Sequence, residues 1–527
     1  MTDAPPAAGA PPGDDIAALA KGGRTNFFGF LIRLVARLPF LFIAGQWYGP
    51  EILGRFAYAV IVMELAAQLA TMGLKRGLAQ QLSTTTKPHV CVVWDGLLAA
   101  FIASAFASAI LMTFPQAMFP RGDVQGADWL LPLVIFGIAG ADIALAALAY
   151  RHDVAATVQV RAIVEPWTIS IAAGAMIFLS SRDGLIIAYV ISVVAGLAAA
   201  MWRLLRSYGR PRGWKPNPAE ILRTSRRNIP LAAADAIEWG SRRLDIAILG
   251  LFVAPGAVGI YYVAQQVASL PQKLKTSFDP ILAPVITQKL AEGDRKAVAR
   301  QVRQVGFWII AAQAAIALAL GIPGEAVMGL VGAAFVGGTA ALAFLLLAEV
   351  VAATAVVSEA ALVYVARHRN LLLSLLMLLV QGLLTVAFML GLEALADGHV
   401  VFGREIPPLP AERIELFQGA AAALALAVAL GLASILKARL LGRLLGAPVQ
   451  GWRWSLIWAT AAAVVAGFLA VQLPGWAQIA VGGPLIMAAF GLVVWYYGFT
   501  HEDRVLFRAG GNEEPTLPPP GTGPTVS

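Results

Sequence analysis

The sequence predicts an all-α polytopic membrane protein of about fourteen transmembrane helices, two pseudo-symmetric six-helix lobes followed by two C-terminal helices. Three observations predict it. Hydrophobic residues make up 59% of the 527 and charged residues 13%, with a mean hydropathy of +0.73, where soluble domains carry about 25% charged residues. Apolar stretches of about 20 residues, the length of a span, recur along the chain. A Pro/Gly pattern in the first lobe returns six spans later, in the second.

The elements follow in order. Residues 1–22, opening "MTDAPPAAGAPPGDD", are Pro-rich and acidic and lack the basic start of a signal peptide, so they read as a disordered cytoplasmic tail. Spans begin near Phe27, Phe56, Val92, Trp129, Gln159 and Gly184, giving an N-lobe over 23–206. A basic cytoplasmic linker covers 207–228. Spans near Ile229, Gly256, Gln304, Gly338, Leu371 and Ile414 form a C-lobe over 229–441, and those near Arg453 and Trp476 fill 442–508. Residues 509–527 form a second disordered tail.

Charge orients these spans. With the N-terminus cytoplasmic, most of the 39 Lys and Arg residues fall on the cytoplasmic side, and the opposite loops hold only Arg55, Arg121, Arg182, Arg404 and Arg413. This asymmetry places both termini in the cytoplasm. The net charge of +8 is then a topology signal, and no nucleic-acid partner is expected. The lone Cys91 excludes an internal disulfide, and the five histidines are scattered, so no zinc cluster is expected. The segment "RLLRSYGRPRGWKPNPAEILRTSRRN" reads either as a linker carrying orientation charges or as a basic surface helix that gathers anionic lipid headgroups.

The internal repeat aligns Pro50 with Pro255, Gly54 with Gly259, Ala59 with Ala264 and Thr71 with Thr276. An even number of intervening spans preserves orientation, so the lobes are parallel repeats about an axis along the membrane normal. The same alignment places Arg37 on Arg242, Arg33 on Glu238 and Gln68 on Lys273. The stretch "DAIEWGSRRLDIAILGLF" sets Asp235, Glu238, Arg242 and Asp245 on one helical face, with Arg243 beside them. In the second span, Glu64, Gln68, Thr71 and Lys75 share a face, and in the eighth, Tyr262, Gln266, Ser269, Lys273 and Thr276 do. A charge at mid-bilayer costs at least about 2.5 kcal/mol, so these faces either pair with one another or line water. Both readings stand: an ion-pair network with Arg242 on Glu238 or Asp245, and a central polar cavity. Asp142, Glu165, Glu349 and Glu359 stand singly in their spans and read as helix-end or structurally partnered acids. Pro166 should bend its helix, and Pro271, Pro280 and Pro284 should interrupt the eighth span.

The stretches "GPEILGRFAYAVIVMELAAQLATMGLKRGLAQQLS", "RRLDIAILGLFVAPGAVGIYYVAQQVASLPQKLKTSFDPILAPVITQKLAEGD" and "GLVGAAFVGGTAALAFLLLAEVV" resemble the polysaccharide flippases of the multidrug/oligosaccharidyl-lipid/polysaccharide flippase superfamily. The resemblance implies two lobes around a cavity that opens alternately to the cytoplasm and periplasm of the bacterial inner membrane. It implies a cargo such as a polyprenyl-pyrophosphate oligosaccharide, driven by an ion gradient or the membrane potential. Membrane lipids, a polysaccharide polymerase and glycosyltransferases are the implied partners. No G-x-x-x-x-G-K-[ST] occurs, so no ATP site or other cofactor is expected.

Pyrophosphate takes bidentate hydrogen bonds from guanidinium. The headgroup candidates are therefore Arg33, Arg37, Arg242 and Arg243, with Lys273, Lys275, Gln68 and Gln266. Glu64, Asp235, Glu238 and Asp245 are the candidates for ion coupling or gating. A drug/cation antiporter of the superfamily would present an acidic, aromatic cavity, a poorer match to these arginines. A peptidoglycan-precursor flippase is a nearer alternative. A membrane polymerase or ligase would need an organised extracytoplasmic loop, and "EALADGHVVFGREIPPLPAER" offers Asp397, Glu405 and Glu412 without an acid/base pair or nucleophile setting, so the chain is not read as an enzyme.

Overall fold

The computed structural model describes residues 38–396, 400–401, 404–405 and 411–500. The described chain is almost wholly helical, with one two-residue antiparallel pairing, Val400–Val401 against Arg404–Glu405. The N-lobe holds α1 (Gly49–Ala70), α2 (Leu74–Thr84), α3 (His89–Thr113), α4 (Leu131–Tyr150), α5 (Val154–Val158, continued through Gln159–Val164 and Glu165–Met176) and α6 (Gly184–Tyr208). The C-lobe holds α7 (Pro218–Phe252), α8 (Pro255–Ala291), α9 (Arg295–Gly321), α10 (Thr339–Val365), α11 (Arg367–Ala396) and α12 (Ala411–Leu445). Helices α13 (Ser455–Ala470) and α14 (Gly483–Val493) follow. Among the described residues, nine helices are long and apolar enough to cross a membrane. Thus the chain is a multi-pass membrane protein.

Helix α7 is not among those nine, for a reason the charge pattern supplies. Helices α7 and α8, at 35 and 37 residues, are about 52 and 55 Å long, well beyond the bilayer core, but the charged side chains of α7 lower its apolarity. Helix α7 begins at Pro218, capped by the Asn217 side chain accepting from Ala219 N at 3.1 Å. It runs unbroken across residue 228, so the second half of the basic linker is the first three turns of the same helix. Helix α8 likewise continues through Pro271, Pro280 and Pro284, where an interruption was expected. A proline removes one intrahelical donor and loosens the turn before it, and at Pro271 the neighbouring helix contributes a bond, Gln313 Nε2 donating to the Pro271 carbonyl at 3.3 Å. In α5 the irregularity precedes Pro166, as a π-helical turn over Gln159–Val164.

One packed core joins α1 and the N-lobe helices to α8 and α10, and a second fills the C-lobe between α9, α12, α13 and α14. The C-terminal helices are pinned to α9 where the Arg453 guanidinium lies 3.9 Å over the Phe307 ring and donates to the Gly498 carbonyl.

The lobes cross at the repeated glycines. A Cβ built on Gly54 would lie 1.7 Å from the Pro255 carbonyl oxygen, and one on Gly259 would lie 2.0 Å from that of Pro50. The contact is reciprocal, as a pseudo-two-fold axis requires, and hydrogen-only side chains permit it. Replacing Gly54 or Gly259 by leucine should cost the packed arrangement about 1–3 kcal/mol, seen as a lower melting temperature of the purified protein. Gly256→Ala, with nothing within 4 Å of the new methyl, should melt as wild type.

Candidate functional site

Helices α1 and α7 run antiparallel along the seam between lobes, and their contacts stay in register. Gly250 packs on Tyr58. Two turns further along, Arg243 Nε lies 3.8 Å from Glu64 Oε2. Near the other end, Arg76 Nε meets Asp235 Oδ1 at 2.6 Å, and the same guanidinium bonds Glu238. There Gly73 and Gly77 accommodate Asn228, whose carbonyl oxygen would lie 2.6 Å from a Cβ on Gly73. The ion pairs therefore bridge N-lobe to C-lobe at two depths, beyond the glycine crossing.

Burial separates two kinds of charge. Asp235 and Asp245 are buried, with 5% and 0% of their surface exposed. By contrast the Arg76, Glu238 and Arg242 side chains keep 45–50%. Glu238 accepts from Arg76 and, at 3.0 Å, from Arg242. Arg243 donates to Gln265 Oε1 at 2.9 Å. Asp245 sits apart from Arg242; it accepts from the Tyr261 hydroxyl and, at 3.2 Å, from Gln265 Nε2, both on α8. It is thus part of the α7–α8 interior, while Glu238 and Arg242 stand on the open face.

Of the residues singled out from the sequence, Glu64, Asp235, Glu238, Arg242 and Arg243 are brought together along the seam. Gln68 and Gln266 are partly buried, on α1 and α8. Lys273 and Lys275 fall within α8, but their side chains lie outside the described residues, as do Arg33 and Arg37 entirely. The sequence reading missed Arg76 and Gln265. It chose Lys75 by extending the α1 face at helical spacing. However, Met72 and Gly73 take φ values of 51° and 70°, and this left-handed turn rotates the following helix. Arg76 therefore meets α7, whereas Lys75 turns toward α4, 3.5 Å from Asp142. For Gln265 the cue was its place one turn from Tyr261.

Three of the acids that stood singly, Asp142, Glu165 and Glu359, have ion-pair partners. Arg161 lies in the π-helical turn and bridges Asp142 and Glu165, the latter at 2.7 Å. Glu359 pairs with Lys437 at 2.9 Å. Among the described residues no group of His, Cys, Asp and Glu is arranged to hold a metal ion.

The sequence profile of the family described as polysaccharide biosynthesis protein matches residues 26–289. No curated protein matches the sequence. The fold is that of several solved transporters. Lipid II flippase MurJ in an inward closed conformation aligns with a TM-score of 0.65 at 12% identity, over 89% of this chain and 99% of that one. An inward-facing multidrug resistance MATE family transporter of the MOP superfamily aligns at 0.59 and 13%, over 80% and 98%. A MOP superfamily transporter from Pyrococcus furiosus aligns at 0.54 and 13%, over 82% and 96%.

Removal of Arg76 strands the buried Asp235. Arg76→Gln should cost about 2 kcal/mol, between the values for exposed and buried pairs, read as a fall in melting temperature. Adding Asp235→Asn should recover most of that loss, because the stranded charge is gone.

Proposed function

The chain belongs to the polysaccharide biosynthesis protein family, and we propose that it flips a polyprenyl-pyrophosphate oligosaccharide from the cytoplasmic to the periplasmic leaflet of the bacterial inner membrane. Transport proceeds by alternating access, with both termini cytoplasmic and an ion gradient or the membrane potential as the driving force. A polysaccharide polymerase and the glycosyltransferases that build the repeat unit are its functional partners.

The observation that carries this reading is the placement of Arg242 and Arg243 on an inter-lobe seam, each within reach of a carboxylate. A pyrophosphate headgroup competes for a guanidinium with carboxylate oxygens of the same geometry. Binding it at Arg242 and Arg243 frees Glu238 from Arg242, leaving it on Arg76, and releases Glu64. Glu64 belongs to the opposite lobe, so its release weakens the bond between lobes. A ligand shifts a conformational equilibrium only by binding one arrangement better than the other, and this exchange supplies that difference. The cross-lobe pair Arg76–Asp235 then governs closure at its own end of the seam.

A drug/cation antiporter fits these residues less well. Glu64, Asp235 and Glu238 each already hold an arginine, so an organic cation would have to compete with a guanidinium at each.

The double variant Arg242→Gln/Arg243→Gln should lower polysaccharide export about 100-fold or more, through loss of bidentate phosphate contacts, while the protein still inserts and elutes as a folded species. Normal export would refute the assignment. In cells depleted of the protein, mass spectrometry of lipid extracts should find a polyprenyl-pyrophosphate oligosaccharide accumulating in the cytoplasmic leaflet. An unchanged lipid-linked pool would exclude that cargo.

A further inference from the structure

Around α7, two sectors are occupied along much of its length. Asn228, Asp235, Arg243 and Gly250 turn to the N-lobe, against Gly77, Arg76, Glu64 and Tyr58. Gly240 lies against Leu378 and Leu244 against Gly382, so this side faces α11. Asp245, near the end of the helix, turns to α8. The arc it shares carries, nearer the helix start, Arg223, Arg227, Glu238 and Arg242, which a helix of 3.6 residues per turn sets within about 100° of one another. All four are exposed.

The two halves of this stripe differ. Glu238 and Arg242 are bonded to each other. Arg223 and Arg227 have no hydrogen-bond or ion-pair partner among the described residues, and the nearby Glu220 is held by Lys87. Two guanidiniums one turn apart repel unless an anion lies between them. Arg226 is placed differently. It shares its side of the helix with Leu222 and Ile229, which are 52% and 55% exposed, an apolar strip suited to lipid.

We propose that Arg223 and Arg227 form a capture site for the diphosphate headgroup of the lipid-linked cargo at the α2 end of the inter-lobe seam, from which the headgroup passes to Arg242. The proposal rests on the flippase reading above. A headgroup reaching Arg242 must displace Glu238, whereas Arg223 and Arg227 take it with no carboxylate to remove. The path from Arg227 to Arg242 is about 22 Å along the helix. The outer pair therefore sets how readily cargo is captured, and the inner arginines set how fast it crosses.

The test uses the full-length protein in phosphatidylethanolamine nanodiscs, with a polyprenyl diphosphate as probe and phosphatidylglycerol as competitor. Arg223→Gln/Arg227→Gln should weaken probe binding about tenfold or more and raise the half-saturating concentration for transport, with kcat unchanged. Arg212→Gln/Arg226→Gln removes the same charge from other exposed positions and should bind as wild type. Arg223→Lys/Arg227→Lys should retain part of the affinity, confirming that the site tolerates substitution.

If both double-Gln variants lose affinity equally, or phosphatidylglycerol competes as well as the probe, the stripe is a general lipid-surface contact and the capture site is wrong. Unchanged binding in Arg223→Gln/Arg227→Gln overturns it as well, and leaves the flippase reading intact. Failure of the wild-type protein to bind the probe would sink both.

Discussion

Everything along the seam depends on the backbone crossing of α1 and α8 at Gly54 and Gly259. Each glycine admits the other helix's proline carbonyl to a distance that any side chain would block. Small residues are how helices approach closely in lipid, where no hydrophobic driving force draws them together. The crossing brings the starts of the two pseudo-equivalent helices together at one end of the molecule. Helix α7 precedes α8 through a two-residue connection, Val253 and Ala254, so it is carried to the seam as well. Its antiparallel register against α1 then determines which charges meet.

That register explains how the chain tolerates so many charges within span-length helices. Each buried acid on the seam has a cation or a set of donors at hand: Asp235 has Arg76, and Asp245 has Tyr261 and Gln265. Removing either partner exposes the desolvation cost of the other. Of the more open charges, Arg242 pairs along its own helix with Glu238, which Arg76 of the N-lobe also holds. Structural pairing and cargo exchange thus draw on different members of one cluster, distinguished by burial more than by residue type.

The fold was legible in the sequence because span length, hydropathy and Lys/Arg asymmetry are properties of long segments and survive local error. The repeat was legible at Pro50/Pro255 and Gly54/Gly259, since those positions need a particular backbone. The α7 charges stood out because charge is rare in such a helix. Arg76 was hidden by two left-handed residues that break the helical phase, which no periodicity argument anticipates. Arg161 was hidden by a π-helical turn, which aims it at Asp142 and Glu165 inside the lobe. Gln265 lay beside a residue with the expected spacing, and only the contact with Asp245 distinguishes the two.

The glycine crossing also has a leverage. Arg76 lies 22 residues beyond Gly54, about 33 Å along the helical path, whereas Glu64 is only about 15 Å away. If the crossing serves as a fulcrum, tilting one lobe by roughly 10° moves the Arg76 level by about 6 Å and the Glu64 level by less than half of that. The ion pair at the far end is then severed while the one near the fulcrum is merely stretched. Such a lever turns a small rotation, absorbed between two hydrogen-only side chains, into a wide opening at one end of the molecule.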